Sequence, residues 1–203
     1  MFCLLKDSFL KTINAIIVNN NPTIAKATVG SLCKVIIFVD GSNLYHSLVS
    51  NFGTAKIDLE RFCKNLSAGK ELVKINYYTS PVSRLDNLNI YKSQQKFLSR
   101  IEKISKLVLF LGRLEKHGNY KIEKGVDVKL ATDLISGAFN HEYDIAILVS
   151  NDSDFVPAIN EVQILGKQVW NVNFPKRKSY HLNQICNNTI MIKTIKPFQN
   201  EEK

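Results

Sequence analysis

The stretch DIAILVSNDSDF (residues 144–155) decides the fold class of this chain of 203 residues. An unbroken apolar run, 145–149, stands shortly before two carboxylates, Asp152 and Asp154. Such a run is typical of a strand that is covered on both faces, as in a parallel sheet. In open sheets of that kind, ligands bind beyond the carboxyl ends of the strands. The stretch therefore predicts a buried parallel strand that ends in a pair of carboxylates at a functional edge.

Strand-like and helix-like segments alternate along the rest of the chain. Strands are predicted at 35–40, 72–79, 106–114, 144–150, 167–174 and 190–195, and helical patterns at 43–52, 58–66, 85–104, 126–139 and 154–166. This alternation predicts an α/β sandwich with a mainly parallel central sheet of five or six strands. The segment 112–127 lacks long apolar runs and is expected to form a basic hairpin or loop.

The ends of the chain differ in character from this main domain, which we place at 34–196. Residues 1–33 are predicted to be an N-terminal extension, with an amphipathic helix in place of a signal peptide and a polar connector, NNNPTIAKATVGS (19–31). Residues 197–203 are expected to form a flexible tail. No apolar run reaches the ~20 residues that a membrane span needs, and so we expect no membrane partner.

The net charge of +9 and the sequence pI of about 9.3 leave two interpretations equally open. One is a polyanionic partner, with nucleic acid first, and the other is a merely basic, soluble surface. The four cysteines lie far apart, without zinc-ligand spacing, at Cys3, Cys33, Cys63 and Cys186. Free thiols in a reducing cytoplasm are therefore expected, and a zinc site is not.

Two further acidic elements accompany Asp152 and Asp154. Asp40 ends the first strand in VDGSN (39–43), and Asp127 and Asp133 lie in a predicted helix about two turns apart. Carboxylates that converge repel one another unless a cation lies between them. Oxygen ligands suit Mg²⁺ or Mn²⁺, which can activate water for attack on a phosphodiester.

Each of these residues also has a simpler interpretation. Asp154 would be a helix N-cap, with Pro157 in the first turn, and Asn43 a cap or turn residue. Asp127 would interact favourably with the helix dipole, which requires no metal, and Asp133 would be a solvated mid-helix residue. The basic run in FPKRKSYH (174–181) binds phosphates or is simply solvated, and Tyr45 and His46 pack, face solvent or stack on a base.

Three blocks, FVDGSNLYHSL, EKGVDVKLATDLI and YDIAILVSNDSDFVPAINEVQILGKQVW, resemble the signature of the NYN family, in the LabA/DUF88-like branch of the PIN-like nucleases. The resemblance covers roughly 34–175 and implies a PIN-like three-layer α/β/α sandwich that binds divalent metal and cleaves RNA. It implies metal-binding carboxylates at Asp40, Asp127, Asp152 and Asp154, with Asn43 lining the site and Asp133 as an additional candidate.

The sequence thus predicts a cytoplasmic, metal-dependent endoribonuclease that uses Mg²⁺ or Mn²⁺ on single-stranded or structured RNA. Its phosphate contacts are expected at Lys121, Lys124, Lys176, Arg177 and Lys178, and a homo-oligomer is left open. The alternative is a non-catalytic RNA-binding or regulatory module that acts through protein partners. An aspartyl-phosphate phosphatase is disfavoured because Ser42 stands where D-x-D needs its second Asp. A dinucleotide-binding domain is disfavoured because G-x-G-x-x-G is missing after the first strand.

Overall fold

A computed structural model of the protein describes residues 32–85, 87–117 and 120–195, without the side chains of 116–123. The predicted N-terminal helix, its connector and the predicted tail lie outside these residues. The strands are β1 Lys34–Asp40, β2 Glu71–Thr79, β3 Leu107–Leu111, β4 Arg113–His117, β5 Tyr120–Lys124, β6 Ile145–Val149, β7 Gln168–Asn173 and β8 Asn188–Met191. The α-helices are α1 Gly41–Phe52, α2 Leu59–Leu66, α3 Leu88–Ile101, α4 Val126–Phe139, α5 Val156–Ile164 and α6 Tyr180–Ile185.

Six of the strands form one sheet in the order β3-β2-β1-β6-β7-β8. Every neighbouring pair in this sheet is parallel. The remaining two strands, β4 and β5, pair with each other in antiparallel register. The predicted α/β fold with a mainly parallel sheet of five or six strands is therefore confirmed, and so is the hairpin within 112–127.

The sheet is covered on both faces, as its apolar strands predict. Alternate residues of β1 point to opposite sides. Val35, Ile37 and Val39 pack in one cluster with residues of α1, α2 and α3, and Ile36 and Phe38 pack in the other with residues of α4, α5 and α6. Burying one large apolar side chain in this way contributes about 1.5–3 kcal/mol. The result is a three-layer arrangement that fixes the carboxyl ends of β1 and β6 side by side.

Some boundaries differ from the sequence prediction. The single strand expected at 106–114 is two strands, because the chain leaves the sheet at Gly112. A Cβ there would lie 2.6 Å from a Val126 methyl and 2.7 Å from the Ser80 hydroxyl oxygen, so only glycine fits this crossing. Helix α6 was not predicted, and the last strand lies at 188–191 in place of 190–195. Within the described residues, no helix is both long and apolar enough to cross a membrane.

Candidate functional site

The candidate site begins where two neighbouring parallel strands end. Strands β1 and β6 pair in register up to Val39 and Val149. The residues that follow this last pair, Asp40 and Ser150, therefore leave the sheet side by side. The Ser150 hydroxyl donates a hydrogen bond of 3.0 Å to Asp40 Oδ2. This bond joins segments that are 110 residues apart in the chain.

The carboxylate of Asp40 is the buried centre of the site, with only 4% of the residue exposed. It is the N-cap of α1 and accepts hydrogen bonds from the Asn43 backbone N–H at 3.0 Å and from Asn43 Nδ2 at 2.8 Å. A buried carboxylate is tolerated only when donors compensate the lost water. Asn43 and Ser150 supply those donors, and so they hold the Asp40 carboxylate in one orientation.

Asp152 is joined to this centre through the same serine. Its backbone N–H donates to Ser150 Oγ at 3.1 Å, and its own Oδ1 accepts from the Asp154 N–H at 2.9 Å. Asp152 thereby caps a short 3₁₀ helix, Ser153–Phe155, that precedes α5. The cap is thus Asp152, and Asp154 lies in the first turn as an exposed residue, because a 3₁₀ turn intervenes before the α-helix. Pro157 stands at the start of α5, as predicted.

Sequence reasoning missed three polar residues of this network, namely Ser47, Ser150 and Asn151. The Asn151 backbone N–H donates to Asn43 Oδ1 at 3.4 Å, and Asn151 Nδ2 donates to Ser47 Oγ at 3.1 Å. Asn151 Oδ1 is buried and has no hydrogen-bond partner within the described residues. The signal was available in SNDSD (150–154), in which the neutral residues were passed over in favour of the acidic ones.

The two acidic residues of α4 have different surroundings. Asp127 lies exposed in the first turn of the helix. Asp133 is half-buried and accepts hydrogen bonds from the Tyr78 hydroxyl at 2.9 Å and from Lys129 Nζ at 2.6 Å. Burial and, next, the Asp133 carboxylate raise the pKa of Tyr78, which keeps its proton for this bond. Asp133 is therefore tied to β2 and to its own helix, and neither of these two partners belongs to the Asp40 network.

The donors at the site suit a hard cation in kind. Carboxylate, amide and hydroxyl oxygens are the ligands that Mg²⁺ and Mn²⁺ take, and Asn151 Oδ1 is a buried oxygen without a partner among the described residues. The number of candidate ligands that lie close together is small. In the described part of the chain, no group of three or more His, Cys, Asp or Glu side chains is placed to hold a metal ion.

The basic loop after β7 lies beyond the carboxyl end of the strand that neighbours β6. The Lys176 backbone N–H donates to Asn51 Oδ1 at 2.7 Å, which ties the loop to the end of α1. The side chains of Lys176, Arg177 and Lys178 are exposed. Next to them Ser179 caps α6, where it accepts from the Leu182 N–H.

The remaining residues that were predicted to contact nucleic acid lie on the β4–β5 hairpin and on α1. Lys124 is exposed at the end of β5. Lys121 lies in the same strand, and its side chain is not one of those that the structure describes. The rings of Tyr45 and His46 on α1 meet edge to face, with centroids 5.4 Å apart, and Tyr45 is half exposed. This pair places a half-exposed aromatic ring little more than one helical turn from Asp40.

The family follows from a comparison with protein-family models, in which the NYN domain matches residues 34–193. The chain belongs to the NYN domain family. NYN domains are generally nucleases of the PIN-like superfamily and generally bind RNA. The match includes both strand ends that carry the Asp40 network, as well as the basic loop.

A solved structure supports the fold of this NYN domain. The crystal structure of a protein of unknown function from Vibrio parahaemolyticus RIMD 2210633 superposes with a TM-score of 0.65 at 21% sequence identity. The alignment covers 80% of this chain and 94% of that one. No curated protein matches the sequence significantly.

Proposed function

We propose that this NYN domain is a metal-dependent endoribonuclease of the LabA/DUF88-like type, which hydrolyses RNA phosphodiester bonds in the cytoplasm. The observation that carries the proposal is the buried Asp40 carboxylate at the ends of two adjacent parallel strands, bonded to Asn43 and Ser150. An open parallel sheet binds its ligands at this edge. A buried carboxylate in a fixed orientation suits the binding of a cation or of a reacting water better than it suits apolar packing.

Asp40, Asp127, Asp152 and Asp154 would hold Mg²⁺ or Mn²⁺, with Asn43 lining the site. When bound, such an ion supplies a lowered pKa of bound water and stabilisation of the leaving oxygen. Asn43 and Ser150 keep the Asp40 oxygens in place by hydrogen bonds of 2.8 and 3.0 Å. Outer residues of this kind set the geometry of the ligands that they hold.

The basic side chains around this edge would hold the RNA backbone. Lys176, Arg177 and Lys178 stand exposed beyond β7, and Lys124 stands at the end of β5, with Lys121 as a further candidate. Phosphate contacts of this type supply most of the affinity of non-specific RNA binding. Tyr45 and His46 would offer a surface on which a base can stack.

A second candidate is a non-catalytic RNA-binding or regulatory module that acts through protein partners. Two observations favour it. Neutral donors from Asn43 and Ser150 already occupy the Asp40 oxygens. In addition, the described residues contain no group of three acidic or metal-ligating side chains positioned for a metal. Cleavage separates the two candidates, because only the first requires it.

The test is cleavage of a mixed pool of single-stranded and structured RNA with Mg²⁺, Mn²⁺ or EDTA. Asp40→Asn and Asp152→Asn should each lower the rate by more than the roughly 10- to 100-fold that is typical of outer-shell residues. Asp144→Asn is the matched control, because Asp144 directly precedes β6 and thus lies at the opposite edge of the sheet. It should cut like the wild type.

A readout that does not depend on cleavage accompanies the assay. Mg²⁺ or Mn²⁺ should raise the melting temperature of the wild type and of the Asp144→Asn control, and should have less effect on the two site variants. Metal-dependent cleavage that survives both site substitutions would refute the assignment of the site. RNA binding with no cleavage under any metal would favour the non-catalytic module.

A further inference from the structure

Helix α3 carries a row of basic side chains. Lys92, Lys96 and Arg100 follow one another at intervals of four residues, and Lys103 lies two residues beyond the last residue of the helix, after Glu102. Residues four apart lie on one face of an α-helix, about 6 Å apart along its axis. Between Leu88 and Ile101 the sequence contains no acidic residue. We call these four basic residues the α3 track.

The three lysines of the track face solvent, and Arg100 is partly buried. Lys92, Lys96 and Lys103 are exposed, and none of the three forms an ion pair within the described residues. Lys96, Arg100 and Lys103, with Gln95 and Ser99, line an open depression of about 410 Å³. Lysines that form no ion pair among the described residues, beside polar hydrogen-bonding groups, match a chain of phosphates better than they match an apolar partner.

The middle of α3 is fixed to the residues that follow β2. Gln94 Nε2 donates to the Ser80 carbonyl at 2.9 Å, and Gln94 Oε1 accepts from the Val82 N–H at 2.7 Å. Strand β2 is the neighbour of β1, so the helix passes the edge of the sheet that carries the Asp40 network at about Gln94. The track therefore runs away from the candidate site.

Two ring contacts connect the track with that site. The Tyr77 ring lies against Gly41, the residue after Asp40, and packs on Phe97 of α3 with ring centroids 5.8 Å apart. On the same Phe97 ring, the Arg100 guanidinium stacks at 5.4 Å from the centroid. These packed rings hold the α3 track in a defined position relative to Asp40.

We propose that the α3 track binds the phosphates of a single-stranded RNA segment that extends beyond the cleavage site. The proposal rests on the proposed ribonuclease function and names the substrate class, an extended single strand. The roughly 6 Å repeat of the basic residues is comparable with the spacing of consecutive phosphates in such a strand. Each contact releases counterions, so the affinity for RNA depends on salt.

The test is a triple variant, Lys92→Ala, Lys96→Ala and Lys103→Ala, in the full chain. Arg100 is left in place because it stacks on Phe97. Alanine is the best helix former, so the helix should persist, and circular dichroism checks it. The matched control removes three other exposed lysines: Lys56→Ala, Lys64→Ala and Lys193→Ala.

Binding is measured in EDTA, which separates it from cleavage. The probes are single-stranded RNAs of about 4 and about 16 nucleotides, the two ends of the range of known single-strand site sizes. Three lost contacts at a slope of about 0.7 each mean that, from 50 to 200 mM salt, the wild type loses about 20-fold more affinity for the long RNA than the triple variant does. The short RNA and the control variant should show no such difference.

Each outcome decides one question. An unchanged salt dependence in the triple variant would overturn the α3 track, while cleavage by the wild type could still stand. A loss confined to the long RNA, in a protein that cuts nothing, would support the track and refute the nuclease. An equal loss for poly-glutamate would assign the surface to acidic polypeptides and overturn the RNA assignment. Absence of binding to any RNA by the wild type would overturn it as well.

Discussion

Replacing Gly41 with alanine should disturb the point where β1 passes into α1. A Cβ on this residue would lie 2.7 Å from Tyr77 Cε1, and 2.8 Å from both Cζ and the hydroxyl oxygen. Carbon atoms in contact normally stay about 3.5–4.0 Å apart. Tyr77 is 5% exposed and packs against Phe97, so its ring has little room to retreat.

Two effects of opposite sign decide how much Gly41→Ala changes the free energy of unfolding. Overpacking a filled core costs about 1–3 kcal/mol. Exchanging glycine for alanine where the backbone permits it stabilises by about 0.4–1 kcal/mol, because the unfolded chain loses freedom. The steric cost is the larger, and we expect Gly41→Ala to lower the free energy of unfolding by about 1–2 kcal/mol. With a urea m-value of about 2 kcal/mol/M, the middle of the usual range, the midpoint should fall by roughly 0.5–1 M.

The assay is equilibrium unfolding in urea, with Ser42→Ala as the control at the next, exposed position of the same helix. A double-mutant cycle with Tyr77→Leu identifies the cause, because the cost of Gly41→Ala should largely vanish once the ring is absent. Equal stability of Gly41→Ala and Ser42→Ala would refute the reasoning. The same holds if the cost persists in the Tyr77→Leu background.

Two other substitutions test the site and the opposite edge of the sheet. Ser150→Ala should lower the free energy of unfolding by about 1–3 kcal/mol, because it removes a donor to Asp40 and leaves the N–H of Asp152 unpaired. Equilibrium unfolding in urea measures this loss. The control is Ser153→Ala at an exposed position, which should be near neutral. At Asp144, the backbone N–H at the start of β1 is the main cause of a pKa held below the ordinary value of 3.8. A carboxyl whose pKa is lowered by folding stabilises the fold fully at pH values above its ordinary pKa, and this contribution is lost as the pH falls from there through the lowered pKa. Thermal unfolding as a function of pH should therefore show a smaller acid loss for Asp144→Asn than for the wild type, and identical profiles would contradict this assignment.

Local patterns were sufficient for most of the fold. The continuous apolar runs of β1 and β6 required cover on both faces, and the structure provides it with two apolar clusters. Helix α4 was predicted over 126–139 and has those bounds. Helix α6 was missed because six residues carry little periodicity, although Ser179 is a typical N-cap.

Contacts between distant segments were not predictable from local pattern. The partner of Asp133 outside its own helix is Tyr78, 55 residues earlier, on a strand that packs under that helix. The break of a predicted strand at Gly112 depends on Val126 and Ser80, which approach from other elements. For the site, the pattern indicated Asp40 and Asp152, but their link through Ser150 requires the order of the strands.

The central place of β1 also orders events during synthesis. Its first neighbour, β2, follows closely in the chain, while the other, β6, comes about a hundred residues later. At translation rates of about 5–20 residues per second, Ser150 is synthesised roughly 5–20 s after Asp40. Until then one edge of a strand that is apolar from Val35 to Val39 is unpaired, which is an aggregation hazard. Pairing over such a sequence separation is intrinsically slow. The Asp40 network therefore assembles late, and a nascent chain that ends before β6 has no complete site.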